Sequence, residues 1–512
     1  MDICIIGAGF AGLSAAKVLS TFGHRVTVFE KEADVGGVWS ASRRYPGLTT
    51  QNVRSTYAFS DYPYPNDYPE WPSGEQVQRY LASYTREFGL ENKVKLNSEV
   101  ITAKQIEGDL GWNVEVKRRS PSGDSAEVVR YKFDYLIVCN GIFSQPLIPE
   151  YAGAADFVAS GGRICHTSEF KALEDAKGKH VLVVGYGKSS CDVAQAVSGI
   201  ALSTTVTARN LIWKVPKMLM NVLNYKYLLL TRLGEALFRY IHLKGFERFL
   251  HGAGKPIRNS MLGQVQWVIT RQCKLDKLGL NPKVPFETIA RSTVSLVTDG
   301  FFESVAAGKI HVAKNTSITK LTTENDKRYA ELSDGSTVLA DIVICGTGWH
   351  QTVPFLDAAV MQRVTDHEGN FRLYRSMIPV GLPRLAFNGY NSSFFSQLNA
   401  EIGALWIADL LGGDLKLPTE AQQQLTISER LAWMQERTDG KHSKGTNIIP
   451  FSVHHIDELL EDMGLTLGTF TRFKQWLMPI NPGDFASVTT KLLKRYSKAK
   501  PAINGEKISS TA

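Results

Sequence analysis

The chain holds only six cysteines in 512 residues, at positions 4, 139, 165, 191, 273 and 345, and no two form a C-x-x-C or C-x4-C pair. That absence argues against a zinc site and against a redox-active disulfide, so no metal is expected and buried reduced thiols are. A long uninterrupted apolar run is missing too. Between Leu219 and Leu250, Val222, Leu223, Leu228, Leu229, Leu230 and Phe238 are interrupted by Lys226, Arg232, Glu235, Arg239 and Lys244, too often for a membrane span. Amphipathic helices packed on a domain, or lining a greasy substrate entrance, are expected there, with a peripheral membrane contact through 219–250 as the alternative. Because an apolar strand begins at residue 2, no leader peptide is expected and the reading is cytoplasmic. No strong excess of one charge exists: the formal charge is +8, part of it crowded into Lys491, Lys494, Arg495, Lys498 and Lys500. A solvated tail explains that cluster better than nucleic-acid binding. With 43% hydrophobic and 21% charged residues, the composition is that of a soluble globular chain of two or three domains.

What is present begins at once. Ile3 to Ile6 leads into Gly7-Ala8-Gly9-Phe10-Ala11-Gly12 and then a helical pattern through Leu13, Ala16, Val18 and Leu19. This is the dinucleotide fingerprint in its strand, turn and helix context. Gly7 permits the turn, Gly9 lets backbone approach a pyrophosphate, and Gly12 lets helix and strand pack closely, with the positive helix end toward the phosphates. The strand Arg25 to Phe29 then leads to Glu30, 18 residues past Gly12 (30 minus 12), placed to accept from a ribose 2′-hydroxyl. Further on, Gly36-Gly37-Val38-Trp39 predicts a backbone turn at Gly37 beneath a planar ligand, with Trp39 closing one side. The proline- and aromatic-rich stretch from Arg44 to Pro65 predicts a long ordered loop.

The opening pattern repeats after His180 to Val184. Gly185-Tyr186-Gly187-Lys188-Ser189-Ser190 is a second fingerprint, with Ser190 in place of the third glycine. Its second strand ends in Arg209 rather than an acid, 24 residues after Gly185 (209 minus 185), and a cation there suits the 2′-phosphate of NADPH. Two units with opposite ribose partners imply two nucleotides that meet, as in hydride transfer from NADPH to FAD. The run Asp341 to Cys345 with Gly346-Thr347-Gly348-Trp349 echoes the strand ending at Cys139, and predicts that the chain re-enters its first domain there. Gly389 precedes a helix from about Leu398 to Leu411 whose N-terminus is placed to face a flavin. The expected fold is therefore α/β, two Rossmann-like dinucleotide-binding domains with the NADPH domain inserted in the FAD domain. The expected boundaries are 1–165 and 336–415 for the FAD domain, and 166–335 for the NADPH domain with a helical insertion about 215–280. Peripheral helices over 416–495 and a disordered tail over 496–512 complete the expectation.

With GAGFAG, GGVW, FSDYPYP, GYGKSS and CGTGW in hand, the chain resembles the class B flavin-dependent monooxygenases over about residues 1–415. That superfamily includes flavin-containing, N-hydroxylating and Baeyer-Villiger enzymes. Gly162, His166 and Phe170 match its linker signature, whereas Ser160 stands where an aromatic belongs. The resemblance implies reduction of FAD by NADPH, a C4a-(hydro)peroxyflavin formed with dioxygen, and insertion of one oxygen atom into a hydrophobic small molecule. The R-Y-P-G-L-T-T-Q pattern is similar to that of fungal members acting in secondary metabolism. The family's oxygen-transfer position falls on Gln51, an amide able to donate to the peroxide, with Asn52 beside it as a possible substitute. A short match around Phe286 to Val297 resembles the segment bearing the Baeyer-Villiger active-site arginine, which makes Arg291 the candidate for that alternative. A flavin-dependent NADPH dehydrogenase or reductase is a lesser alternative, disfavoured by the missing cysteine pair.

Overall fold

The structure is a computed structural model that describes residues 1–108, 111–120, 125–291, 295–440 and 444–499. Two five-stranded parallel sheets dominate it. The first runs in the spatial order Leu385–Phe387, Tyr135–Val138, Asp2–Ile6, Arg25–Phe29, Val94–Lys95. The second runs His311–Lys314, Ser203–Ala208, His180–Val184, Ile342–Cys345, Arg163–His166. Their central strands are continuous apolar runs because helices and loops cover both faces, as a parallel sheet requires. Each sheet is accompanied by a three-stranded antiparallel meander, Ser98–Gln105, Trp112–Arg119, Ala126–Phe133 in the first unit and Ile318–Glu324, Lys327–Leu332, Thr337–Leu339 in the second. The first sheet takes strands from both ends of the chain and the second unit lies between them in sequence, so the α/β class with one Rossmann-like unit inserted in another is what the structure has.

Three expectations need correction. Ile342–Cys345 does not return to the first sheet; it pairs with His180–Val184 and Arg163–His166 in the second. It echoes the strand at Cys139 because it is that strand's counterpart, each following its unit's meander. The return to the first sheet is made by Leu385–Phe387 beside Tyr135–Val138. Two neighbouring strands on one side of the second sheet, Ile342–Cys345 and most of Arg163–His166, therefore lie outside the expected 166–335, which begins inside one strand and stops short of another. Second, the segment 215–280 is only partly helical. It contains the hairpin Met218–Leu219 with Leu223–Asn224, short helices such as Arg232–Ala236 and Phe246–His251, and one long helix, Lys255–Gln272. Third, the residues after 416 are not all peripheral: the helix Ser452–Asp462 packs on the buried helix Ser396–Gly412, and His455 and Ile456 are wholly buried. The expected tail lies outside the described residues from 500 on, whereas 496–499 continue the helix Ala486–Ala499.

The long loop is pinned at its middle. Glu401 on the helix Ser396–Gly412 is wholly buried and accepts from Ser60 N at 2.7 Å and Ser60 Oγ at 2.9 Å. Lys17 on the opening helix Phe10–Thr21 pairs with Asp61 and lies 3.7 Å from Glu401. Tyr64 stacks on Tyr80 at 3.8 Å between ring centroids and Phe59 lies 4.2 Å from Tyr84, which gives the aromatic F-S-D-Y-P-Y-P stretch its packing. The helix Ser452–Asp462 is tied to the 215–280 segment by charge. His454 sits between Glu235, at 2.8 Å from Nδ1, and Glu247, at 2.7 Å from Nε2. Burial alone would lower its pKa, but the two carboxylates push it up to about 10.

The raised pKa fixes the sign of a pH dependence. Stability contributed by the imidazolium is complete below the ordinary value of 6.5 and is lost as pH rises toward about 10. Chemical denaturation across that window should show the wild type losing more stability than His454→Gln; parallel curves would remove the imidazolium from the stability of this junction.

Candidate functional site

Both fingerprints open onto one cavity of about 1000 Å³. On the first side, Gly7 has φ +104° and its missing Cβ would lie 2.6 Å from Cys139 O. A Cβ on Gly12 would lie 1.8 Å from Gly7 O, so the helix can rest on the turn only without a side chain there. Gly9 and Gly37 face each other, a Cβ on Gly37 coming within 3.2 Å of Gly9 Cα, and both line the cavity. Glu30 is buried at the cavity wall and accepts from Ala8 N at 2.7 Å and Glu32 N at 3.0 Å. Burial raises its pKa, and the two N–H groups hold it back down. Trp39 closes one wall, its ring edge-on to Tyr57, which lines the same cavity. Gly389, at φ +79°, brings the start of the returning segment against Ala11.

The second side repeats the geometry with one exchange. Gly185 has φ +106°, and its Cβ would lie 2.7 Å from Gly346 O, the counterpart of Cys139 O. In the first unit glycine stands on the helix (Gly12) and cysteine on the facing strand end (Cys139). In the second the side chain has changed sides: Ser190 stands on the helix Lys188–Val197, and Gly346 leaves it room, since a Cβ on Gly346 would meet Ser190 Oγ at 2.0 Å. Gly346 therefore belongs to the second fingerprint rather than the first, although it also lines the shared cavity with Gly187. Gly12, Gly185 and Ser190 shape the turns from behind without lining the cavity. Arg209 is exposed at the end of Ser203–Ala208, and no carboxylate pairs with it among the described residues.

The two walls are stitched together by residues that spacing did not single out. Tyr45 reaches from the loop to Ser189 Oγ at 3.0 Å, and Gly47, at φ +83°, lets the loop lie against Asp192 O. Lys188 and Thr298 converge on the buried Asp192, whose pKa burial raises and Lys188 counters. The Arg43 guanidinium lies 4.6 Å over the Trp349 ring, and Trp349 meets the buried His166 edge-on at 4.6 Å. Burial lowers the pKa of His166, whose Nδ1 is 2.8 Å from Ser168 Oγ; it is a neutral, satisfied linker residue. Only the W of CGTGW and the spacing of RYPG hinted at this seam.

Gln51 and Asn52 both line the cavity. Asn52 spends one N–H on Phe394 O at 2.6 Å and is buried. Gln51 accepts at Oε1 from Leu296 N at 3.1 Å, and its carbonyl accepts from the Tyr225 hydroxyl. Arg291 is not brought to this place. Its side chain is half-exposed and bonds Asp439 at 2.6 Å on the outside, so the position that the short Phe286 to Val297 match suggested carries no charge into the cavity.

The residues present fit the two implied nucleotides: backbone cradles that a Cβ would fill on both sides, an acid at one ribose position, and at the other a cation with no carboxylate partner among the described residues. Comparison with known proteins agrees. The profile of the flavin-binding monooxygenase-like family matches residues 1–470. A probable flavin-containing monooxygenase 1 of Arabidopsis thaliana is 28% identical over 90% of this chain and 92% of its own length. Flavin-containing monooxygenase 3 of Macaca mulatta is 25% identical over 90% of this chain and 82% of its own. Among solved structures, cyclohexanone-bound cyclohexanone monooxygenase superposes with a TM-score of 0.66 at 17% identity, covering 90% of this chain and 97% of that one. An S-allyl-L-cysteine S-oxygenase from Allium sativum does so with 0.61 at 20% identity, covering 98% and 94%. At such identity the last two speak for the fold.

The exchange of side chains between the two turns can be tested directly. Gly346→Cys should overpack the second turn and cost about 1–3 kcal/mol of stability. Adding Ser190→Gly, which recreates the Gly12 and Cys139 pairing, should recover most of that loss. Thermal unfolding of the four proteins in the cycle reads it, and additive losses would show that the two positions do not share one space.

Proposed function

The chain belongs to the flavin-binding monooxygenase-like family and is a flavin-dependent monooxygenase using FAD and NADPH, and from that premise we propose how its cavity is used. The cradle of Gly7, Gly9, Glu30 and Gly37 holds FAD, and Gly185, Gly187, Ser190 and Arg209 hold NADPH, with the two meeting in the shared cavity. Bound there, FAD and NADPH would supply the electrons and the dioxygen activation by which one oxygen atom enters the substrate and the other leaves as water. The protein's share is to orient both nucleotides, to exclude water, and to offer a hydrogen-bond donor where negative charge grows on oxygen.

The substrate we propose is a hydrophobic small molecule, with a fungal secondary-metabolite intermediate as the class to which the R-Y-P-G-L-T-T-Q resemblance leads. The apolar hairpin tip at Met220 and Val222, exposed just ahead of Tyr225, supports access from that side. It equally supports a peripheral membrane contact by 219–250. Between oxygen transfers, the observation that carries the choice is the pairing at residue 51. An amide held by a backbone N–H, with Arg291 turned outward to Asp439, supports oxygenation of a heteroatom or activated carbon over Baeyer-Villiger insertion.

Incubation of the purified yellow protein with NADPH, oxygen and a panel of amines, sulfides, activated aromatics and ketones tests this. Mass spectrometry should find a gain of one oxygen on members of the first three classes; lactones or esters from the ketones alone would reverse the ranking. Arg209→Ala should raise KM for NADPH by about tenfold or more while leaving that for NADH nearly unchanged. Equal effects on both would take Arg209 out of the 2′-phosphate site.

A further inference from the structure

Residue 51 is approached from behind by two donors, both supplied by the second unit. The phenol of Tyr225, wholly buried just after the strand Leu223–Asn224, donates to the Gln51 carbonyl. The backbone N–H of Leu296 donates to Gln51 Oε1 at 3.1 Å. A strand ladder dictates the second contact. Ser295–Leu296 pairs in parallel with Lys214–Val215, and it is Val297 N that donates to Val215 O, at 2.9 Å. Successive N–H groups of a strand point to opposite sides, so that of Leu296 faces away from its partner strand and toward residue 51.

This decides which way the amide lies. Were it flipped, Nε2 would meet the Leu296 N–H donor to donor, and a buried N–H would be left without an acceptor. With Oε1 held outward, Nε2 turns to the cavity that Gln51 lines, and among the described residues no atom accepts from it. A carboxylate at this position would satisfy Leu296 as well but would present no hydrogen inward. Tyr225 holds the backbone on which the amide rides, from a segment whose sequence reads only as an apolar run broken by charges.

We propose that Tyr225 and the Leu296 N–H are positioning groups that hold Gln51 as a hydrogen-bond donor toward the oxygen-transfer space. The inference rests on the reading of Gln51 given under the proposed function. Its partners act through Gln51, and neither of them lines the cavity.

Two variants separate the parts. Tyr225→Phe removes one hydroxyl without changing shape. Peroxide released per NADPH consumed should rise roughly three- to tenfold, with FAD content and KM for NADPH unchanged, and Gln51→Ala should mask the effect in the double variant. Additive effects, or unchanged coupling in Tyr225→Phe, would overturn its role. Gln51→Glu keeps the acceptor for Leu296 and loses the donor while ionised, so coupling should recover as pH falls and the carboxyl gains a proton. Coupling equal to wild type at every pH would overturn the donor role. Hydrogen–deuterium exchange of 295–297 gives a readout independent of turnover: slow in Gln51→Glu as in wild type, and fast in Gln51→Leu. The reverse pattern would overturn the Leu296 contact. If the exchange pattern holds while no substrate gains oxygen, the oxygenase reading fails and the positioning pair stands.

Discussion

The structure depends on a contact between backbones: the opening helix lies so near its own turn that a single Cβ on Gly12 would come within 1.8 Å of Gly7 O. Close approach there leaves the first N–H groups of the helix exposed to the cavity, which is what an anion-binding helix end requires. Further segments of the first unit close in around that turn and helix. Gly37 meets Gly9 on one flank, Gly389 meets Ala11 on another, and Asn388 donates to Ala11 O at 3.2 Å. The second unit shows which part of the constraint is strict. It keeps the close approach but exchanges glycine and side chain between helix and strand end, so what the fold demands is room for one side chain at the contact and not glycine at one fixed position.

Buried charge fastens the irregular parts to this frame. Glu401, Lys17 and Asp61 bring the long loop, the opening helix and the helix Ser396–Gly412 to one point; burial raises the pKa of Glu401, and Lys17 and the two Ser60 donors oppose that rise. Lys188, Asp192, Thr298 and Tyr45 do the same between loop and second helix. A loop without regular structure has few backbone bonds of its own, so charge-assisted bonds to helices are an effective way to give it one conformation. This is why residues 44–65 form cavity wall while lacking any strand or helix.

How much of this was legible follows from the range of each signal. The fingerprints were legible because strand, turn, helix and ribose partner all fall within about thirty residues of each other. The α/β class and the insertion followed from seeing the pattern twice. The strand Ile342–Cys345 was assigned to the wrong sheet because an internal repeat makes counterpart strands look alike, and resemblance between strands says nothing of which sheet they join. The true returning strand, Leu385–Phe387, is three residues long, too short to carry a period. Arg291 was misleading for a related reason. A short local match fixes a neighbourhood, and Leu296 from that neighbourhood does reach Gln51, but through its backbone, where no side-chain motif can be read. Tyr225 and His454 make their bonds across 174 and 219 residues, and their types alone announce nothing.

These long-range bonds form a chain of supports that explains why residues expected at the periphery matter to the cavity. The helix Ser452–Asp462 is seated on the helix Ser396–Gly412, whose first turn lines the cavity at Ser396. From its outer side His454 grips Glu235 and Glu247, and Asp457 takes the Arg232 guanidinium through two bonds, so the segment after the hairpin is held at three points. Tyr225 stands between those anchors and the hairpin, and its hydroxyl is the last link to residue 51. The short helices of this segment have few turns and little helical stability of their own. Their placement comes from the apolar side chains they bury, Leu229, Leu230, Leu237 and Phe238 among them, and from the ion pairs behind them. The geometry at Gln51 is thus fixed from the first unit by the loop that carries it and from the second by Tyr225 and Leu296, with the helix Ser452–Asp462 holding the segment that follows Tyr225.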